Sequence, residues 1–197
     1  MNVDMSLSMR VTQFRDILNC CEITGKQGTQ FPLEDGIATF CERLAQLRKK
    51  GEKLYLVGNG GSAGVASHSA TDFFNVAKLK AFTLHESALL TCMANDFNYE
   101  NAYARMLGQV MNPGDIVIAI SSSGKSLNIL NAATNAAEKG GFIVTLSGFS
   151  RDNPLRSLGD INIWLNSNDY GFVEIGHQFI LHNVSDRFGS GLISEND

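Results

Sequence analysis

Leu54-Tyr-Leu-Val-Gly-Asn-Gly-Gly-Ser62 is the stretch around which the rest of the chain organises itself. Leu54 to Val57 is a short apolar, β-rich run, the pattern of a buried strand. Gly58-Asn59-Gly60-Gly61 follows as a turn without side-chain bulk, where the backbone can lie close to a ligand. Ser62 suits an N-cap, and Ala63 to Phe74 continues as a helix. Strand, glycine turn and helix N-terminus together make an anion site, because unpaired N–H groups and the positive end of the helix dipole face the ligand. The spacing is not the GxGxxG of a dinucleotide fold, and no Gly-Lys-Ser/Thr closes it as in a Walker A loop. A small anion fits better than a nucleotide.

Ser121-Ser-Ser-Gly-Lys-Ser126 repeats this logic further along. It follows Ile116-Val-Ile-Ala-Ile120, the clearest core strand, and opens a helix over 127–139 that Gly140-Gly141 ends. A cap needs one hydroxyl; four (Ser121, Ser122, Ser123, Ser126), with Gly124 for close approach and Lys125 for charge, suit a phosphate ester. In an open parallel sheet ligands sit beyond the carboxyl ends of the strands where the winding reverses, so one pocket can serve both loops.

Further strands are expected at Ala81–Leu84, Phe142–Leu146 and Ile161–Leu165. Helices are expected over 86–94, broken by Asn95-Asp96-Phe97, then over 99–111, and over 171–188 at the end. Strands alternating with helices, several almost continuously apolar, give a three-layer α/β/α domain whose mostly parallel sheet has five strands. Residues 1–50 read as a helical segment (9–21 and 33–50, split by a turn region at 25–32) that needs cover from the domain or a sister subunit. This α/β domain, with its phosphate-ester pocket, is expected over 51–190, with a tail over 191–197.

The chain has 197 residues, 44% of them hydrophobic, which fits one domain with one good core. A net charge of −4 argues against nucleic acid as the main partner. No apolar run suits a membrane helix and no signal-peptide pattern opens the chain, so a soluble cytoplasmic protein is expected. Cys20, Cys21, Cys41 and Cys92 show no CxxC spacing and read as idle reduced thiols.

G-N-G-G-S with a histidine six residues beyond its serine, then N-D-F, I-S-S-S-G-K-S and a late E-x-x-H-x-x-x-x-H together resemble the SIS (sugar isomerase) domain. Within that superfamily the chain is similar to the phosphoheptose isomerase group, which converts sedoheptulose 7-phosphate to glycero-manno-heptose 7-phosphate. The resemblance runs from about residue 35 to 188. It implies that Asn59, Gly60, Gly61, Ser62, Asn95 and Asp96 line the sugar and that Ser121, Ser122, Ser123 and Ser126 hold the phosphate. The metal positions fall on His68, Asp72, Glu174 and His182, with Asp72, Glu174 and His182 catalytic. Zinc, no nucleotide cofactor, and a homotetramer with sites between subunits are further implications. Three positions depart from the group: Asp72 stands where Glu is usual, Glu174 where Gln is usual, and Lys125 where Asn is common.

Aldose–ketose isomerisation needs a base to move a proton between C1 and C2, and an acid or metal for the enediolate oxygens. His68 and Asp72, four apart on one helix, face the same way. Glu174 and His182 lie eight apart, about 80° around a helix, so they converge only on something beside it. Two histidines and two carboxylates suit four-coordinate Zn²⁺. A second carboxylate at 174 raises one pKa of a neighbouring pair, so Glu174 can share or take the base role. His177 and His85 read as structural. The competing function is a non-catalytic SIS regulatory module, of the kind that assists a replication initiator; a different phosphosugar isomerase or epimerase is the third.

Overall fold

The computed structural model describes residues 5–193. Its strands are β1 (Glu22–Gly25), β2 (Gln30–Phe31), β3 (Lys53–Val57), β4 (Lys80–Thr83), β5 (Ile116–Ser121), β6 (Phe142–Ser147) and β7 (Ile161–Trp164). Its α-helices are α1 (Leu7–Asn19), α2 (Leu33–Lys50), α3 (Gly61–Asn75), α4 (Ser87–Phe97), α5 (Ala102–Val110), α6 (Leu127–Glu138) and α7 (Tyr170–Gly189). Residues 1–4 of the expected helical segment and 194–197 of the expected tail lie outside the described residues.

Every residue of β5 is buried, as its unbroken apolar run requires of a strand covered on both faces. The sheet runs β2-β1-β7-β6-β5-β3-β4. β4, β3, β5, β6 and β7 are mutually parallel. These are the five expected strands, but the sheet has seven. β1 pairs antiparallel with β7, and β2 antiparallel with β1, so a hairpin extends the sheet where a turn was expected. That hairpin is short, and its Ile23, opposite Ile163 of β7, is fully buried in the core.

Alternation along the strands divides the core into two layers. Leu54 and Leu56 of β3, with Ile116, Ile118 and Ile120 of β5, meet Phe40 and Leu44 of α2, Phe73 of α3 and Leu181 of α7. Tyr55 and Val57, with Val117 and Ala119, meet Tyr103 and Leu107 of α5 and Ala132 of α6 on the other face. α2 therefore belongs to the core, whereas α1 has no buried residue. α1 is held at the start of α7, where Arg10 pairs with Asp169 at 2.9 Å and its guanidinium sits 3.6 Å over the Phe172 ring. α4 continues to Phe97 through the expected break and ends at Asn98, which turns to φ 65°.

The cysteines are free, and burial pushes the thiols of Cys21 and Cys41 up to about 12 and about 11, so both stay protonated and unreactive. No helix among the described residues is long and apolar enough to cross a membrane.

His177 of α7 is fully buried, and its Nε2 donates to the Ser147 carbonyl at 3.1 Å. Burial depresses its pKa from 6.5 to about 4. The folded state thus binds fewer protons than the unfolded one between these values, so the cost begins below pH 6.5 and is complete below about 4. About 3 kcal/mol of stability should be lost across that window through this one residue. Urea midpoints between pH 7 and 4 check it: in His177→Gln the acid-side loss should shrink, and an unchanged slope would refute the assignment.

Candidate functional site

The sheet order reverses between β3 and β5: from β3 the chain crosses to β4 on one side and later to β5 on the other. The carboxyl ends of these neighbours carry the glycine loop and the serine loop, at the switch point where α/β sheets bind ligands. A cavity of about 260 Å³ opens there, lined by both loops and by Tyr170 and Glu174 from the first turns of α7. Asn59, Gly60, Gly61 and Ser62 come from one loop and Ser121, Ser122, Ser123 and Ser126 from the other. The two loops converge as their sequences suggest.

The serine loop is braced from behind and presents hydroxyls to the cavity. Gly124 takes φ 65°, and its Cα packs so closely on the side chain of Asn153 that a Cβ there would overlap it. Asn153 is buried and donates to Ser147 Oγ at 3.1 Å and to the Ser150 carbonyl at 2.8 Å, bracing the loop from behind. Ser121 Oγ and Ser126 Oγ pair at 3.2 Å. Ser122 Oγ is buried without a hydrogen-bond partner among the described residues, so a ligand oxygen would complete its bonding. Lys125 is exposed and does not line the cavity; its backbone N–H donates to Ser123 Oγ at 3.3 Å.

α3 and α7 run side by side in the same direction, and the four proposed metal positions are spread along this seam. At its start the carboxylate of Glu174 lies against Gly61, at the N-terminus of α3, where only glycine leaves room for it. Midway, Gln178 Nε2 reaches Ser69 Oγ at 3.5 Å. Further on, Asp72 Oδ2 lies 2.8 Å from His182 Nδ1 and 3.3 Å from His68 Nε2. The three residues offer ligand atoms within 4.8 Å of one another. The bond from Asp72 is the main cause that raises the His182 pKa. Both histidines are exposed and border a shallow depression with Ile175, Gln178 and Phe179.

One chain therefore brings together His68, Asp72 and His182 but not Glu174. Eight residues on a helix rise about 12 Å, which separates Glu174 from His182 along the axis of α7. Asn95 and Asp96 also stand apart, on the exposed last turn of α4, where Asn95 Nδ2 donates to Asp96 Oδ1 at 2.9 Å. Neither lines the cavity. Residues that local patterning does not mark complete the picture: Asn128 and Tyr99 hydrogen-bond Asn59, and Asn153 braces the serine loop. Their signal is a contact between distant segments; only the polar residue two places after Ser126 is suggestive.

Known proteins agree with this architecture. The SIS domain family model matches residues 28–148. A phosphoheptose isomerase of Mycobacterium tuberculosis is 35% identical over 159 residues, covering 78% of this chain and 81% of that protein. One from Geobacter metallireducens is 32% identical over 163 residues, with 79% and 85% covered. The solved structure of a phosphoheptose isomerase from Neisseria gonorrhoeae shares the fold at a TM-score of 0.78 and 21% identity, covering 94% of this chain and all of that one. With its paired loops at the switch point and these relatives, the chain belongs to the SIS domain family, in the group of the phosphoheptose isomerases.

Proposed function

We propose that the protein is an aldose–ketose isomerase that converts sedoheptulose 7-phosphate to a glycero-manno-heptose 7-phosphate, supplying heptose for a surface polysaccharide. The observation that carries this is the juxtaposition of an anion-receiving serine loop with a carboxylate, Glu174, in one cavity. The phosphate sits on Ser121, Ser122, Ser123 and Ser126 at the N-terminus of α6, where the helix dipole and the serine hydroxyls favour negative charge. The carbon chain then extends toward Asn59, Gly60, Gly61 and Glu174.

Glu174 takes the proton from C1 of the ketose, a C1–C2 double bond forms, and the carbonyl electrons move onto O2. The same carboxyl returns the proton to C2 while a hydroxyl proton passes from O1 to O2, which leaves the aldose without any outside oxidant or reductant. Asn59 and the N–H groups at the start of α3 face the oxygens where negative charge grows. Asp72 is less suited to be the base, because its Oδ2 is already shared by two histidines.

His68, Asp72 and His182 form a donor set of two imidazoles and one carboxylate, which suits a divalent ion such as Zn²⁺. When bound, that ion would act as a Lewis acid toward substrate oxygen. For the ion to act on the reacting carbons, the histidine–aspartate cluster must face the cavity of another copy. Ile175 and Phe179 beside the cluster are 59% and 56% exposed, apolar surface consistent with such a contact and with a homotetramer whose sites lie between subunits.

Incubation with a panel of ketose and aldose phosphates, followed by ¹³C NMR, tests the proposal. Sedoheptulose 7-phosphate should be converted to the aldose. Binding of the sugar phosphate without turnover, with zinc present, would overturn the enzyme and favour the regulatory module. Ser123→Ala removes one charge-assisted hydrogen bond and should weaken phosphosugar binding by about 1.5–3 kcal/mol. Calorimetry checks this: equal affinity of wild type for the sugar with and without its phosphate would reduce the serine loop to a helix cap.

A further inference from the structure

The cavity between the two loops is short of apolar surface. Among the described residues that line it, all but Ile120 and Tyr170 are glycines or carry only hydroxyl, carboxamide or carboxylate groups. Ile120 is a fully buried core residue, whereas Tyr170 is 59% exposed, so its ring is the one sizeable apolar surface open to a ligand there. A sugar phosphate is polar at its hydroxyls but presents C–H groups along its carbon chain, and these gain from an apolar partner.

Tyr170 opens α7, and its ring meets that of Phe149 edge to face, with centroids 4.8 Å apart. An edge-to-face pair covers at most one face of either ring, so at least one face of Tyr170 stays clear of Phe149. Phe149 has φ 53°, the left-handed region, where a bulky side chain is rare and strained. Hydrogen bonds on two sides enforce this backbone. The Gly148 N–H donates to the Ser122 carbonyl and the Phe149 N–H to the Ser167 carbonyl, both at 2.9 Å. The turn thus ties the serine loop to the segment that leads into α7, and it sets Phe149 against Tyr170. Glycine would adopt this turn at no steric cost, so a phenyl group kept there points to a use for the ring.

The same contacts place Tyr170 along the cavity. Gly148 joins Phe149 to the serine-loop side, whereas the Glu174 carboxylate rests at Gly61 on the glycine-loop side. Tyr170 and Glu174, four residues apart, lie about 6 Å from each other along α7. We propose that Tyr170 is a substrate-binding residue whose ring packs on the carbon chain of the sugar beside its phosphate, and that Phe149 is the positioning residue for that ring. This role rests on the isomerase function proposed above and deepens it. The carbons next to the phosphate do not react, so the contact is alike in the bound ketose and in the transition state. It therefore sets affinity and leaves kcat alone.

Tyr170→Ala tests this with little risk to folding, because the ring is mostly exposed and Asp169 still caps α7. Affinity is measured by calorimetry with inorganic phosphate and with the alditol phosphate made by reducing sedoheptulose 7-phosphate, which cannot isomerise. The alditol phosphate should bind Tyr170→Ala about 10-fold more weakly than wild type, the effect of uncovering about 50 Å² of apolar ring. Inorganic phosphate should bind both proteins alike. With sedoheptulose 7-phosphate, KM should rise by a similar factor while kcat stays within about 2-fold. Tyr170→Phe keeps the ring and should bind within about 2-fold of wild type. Phe149→Asn suits the left-handed turn and removes the ring, so it should weaken alditol phosphate binding about 3-fold without lowering Tm. Equal alditol phosphate affinity of wild type and Tyr170→Ala, equal losses for alditol phosphate and inorganic phosphate, or a Tyr170→Phe as weak as Tyr170→Ala would overturn the ring contact. A Phe149→Asn that bound like wild type would overturn the positioning role. If wild type turns over no sugar phosphate, the isomerase function fails, and the alditol phosphate affinities still decide the role of Tyr170.

Discussion

Replacing Gly61 by alanine should lower turnover of sedoheptulose 7-phosphate about 100-fold without unfolding the protein. The added Cβ would occupy the space of the Glu174 carboxylate, which rests against Gly61 at the start of α3. That carboxylate is the flexible end of its side chain, so it can swing aside and the helices need not move. The fold survives, but the base leaves its place, and a displacement of about 1 Å at a reacting group costs about 100-fold in rate. Steady-state kinetics with a thermal melt check both halves. A kcat equal to wild type would mean that the position of Glu174 is irrelevant to the chemistry.

The second large effect concerns the two carboxylates. Glu174→Gln keeps the shape and hydrogen bonding of the side chain and removes its ability to take a proton. It should lower kcat by about 10²–10⁴-fold, the range for loss of a general base, while KM and inorganic phosphate affinity stay close to wild type. Asp72→Asn should act differently, because Asp72 is bound up with His68 and His182. Zinc content after dialysis should drop, and activity should recover in part with excess divalent ion. If Asp72→Asn abolished turnover at full zinc occupancy while Glu174→Gln was mild, the base would be Asp72.

Much of this was legible in the sequence because the determinants are local. The parallel strands are buried on both faces, so they read as unbroken apolar runs, Ile116 to Ile120 above all. The two loops are legible for the same reason, since glycines and serines at a strand end carry their function in their own backbone and hydroxyls. The hairpin of β1 and β2 escaped, because its strands span four and two residues and only the pairing of β1 with β7 identifies them. At the end of α4 the tripeptide Asn95-Asp96-Phe97 looks like a break, but the last turn of a helix tolerates such residues and Asn98 ends it.

In the site, the angular relation of Glu174 to His182 was readable, but the rise between them was the deciding quantity. About 12 Å of helix places Glu174 with the serine loop and His182 with the histidine–aspartate cluster. Asn128, Tyr99 and Asn153 were hidden because each matters through a partner far away in sequence.

Isomerisation in D₂O tests the central claim most directly. Sedoheptulose 7-phosphate incubated with the protein should yield the aldose with deuterium at C2, because a proton held on a carboxyl exchanges with solvent before it is returned. In Glu174→Gln, formation of the aldose and exchange at C1 should slow together. Absence of both aldose and exchange with wild type would contradict an isomerase, and aldose formed with no deuterium at C2 and at an equal rate in both proteins would contradict proton transfer through Glu174.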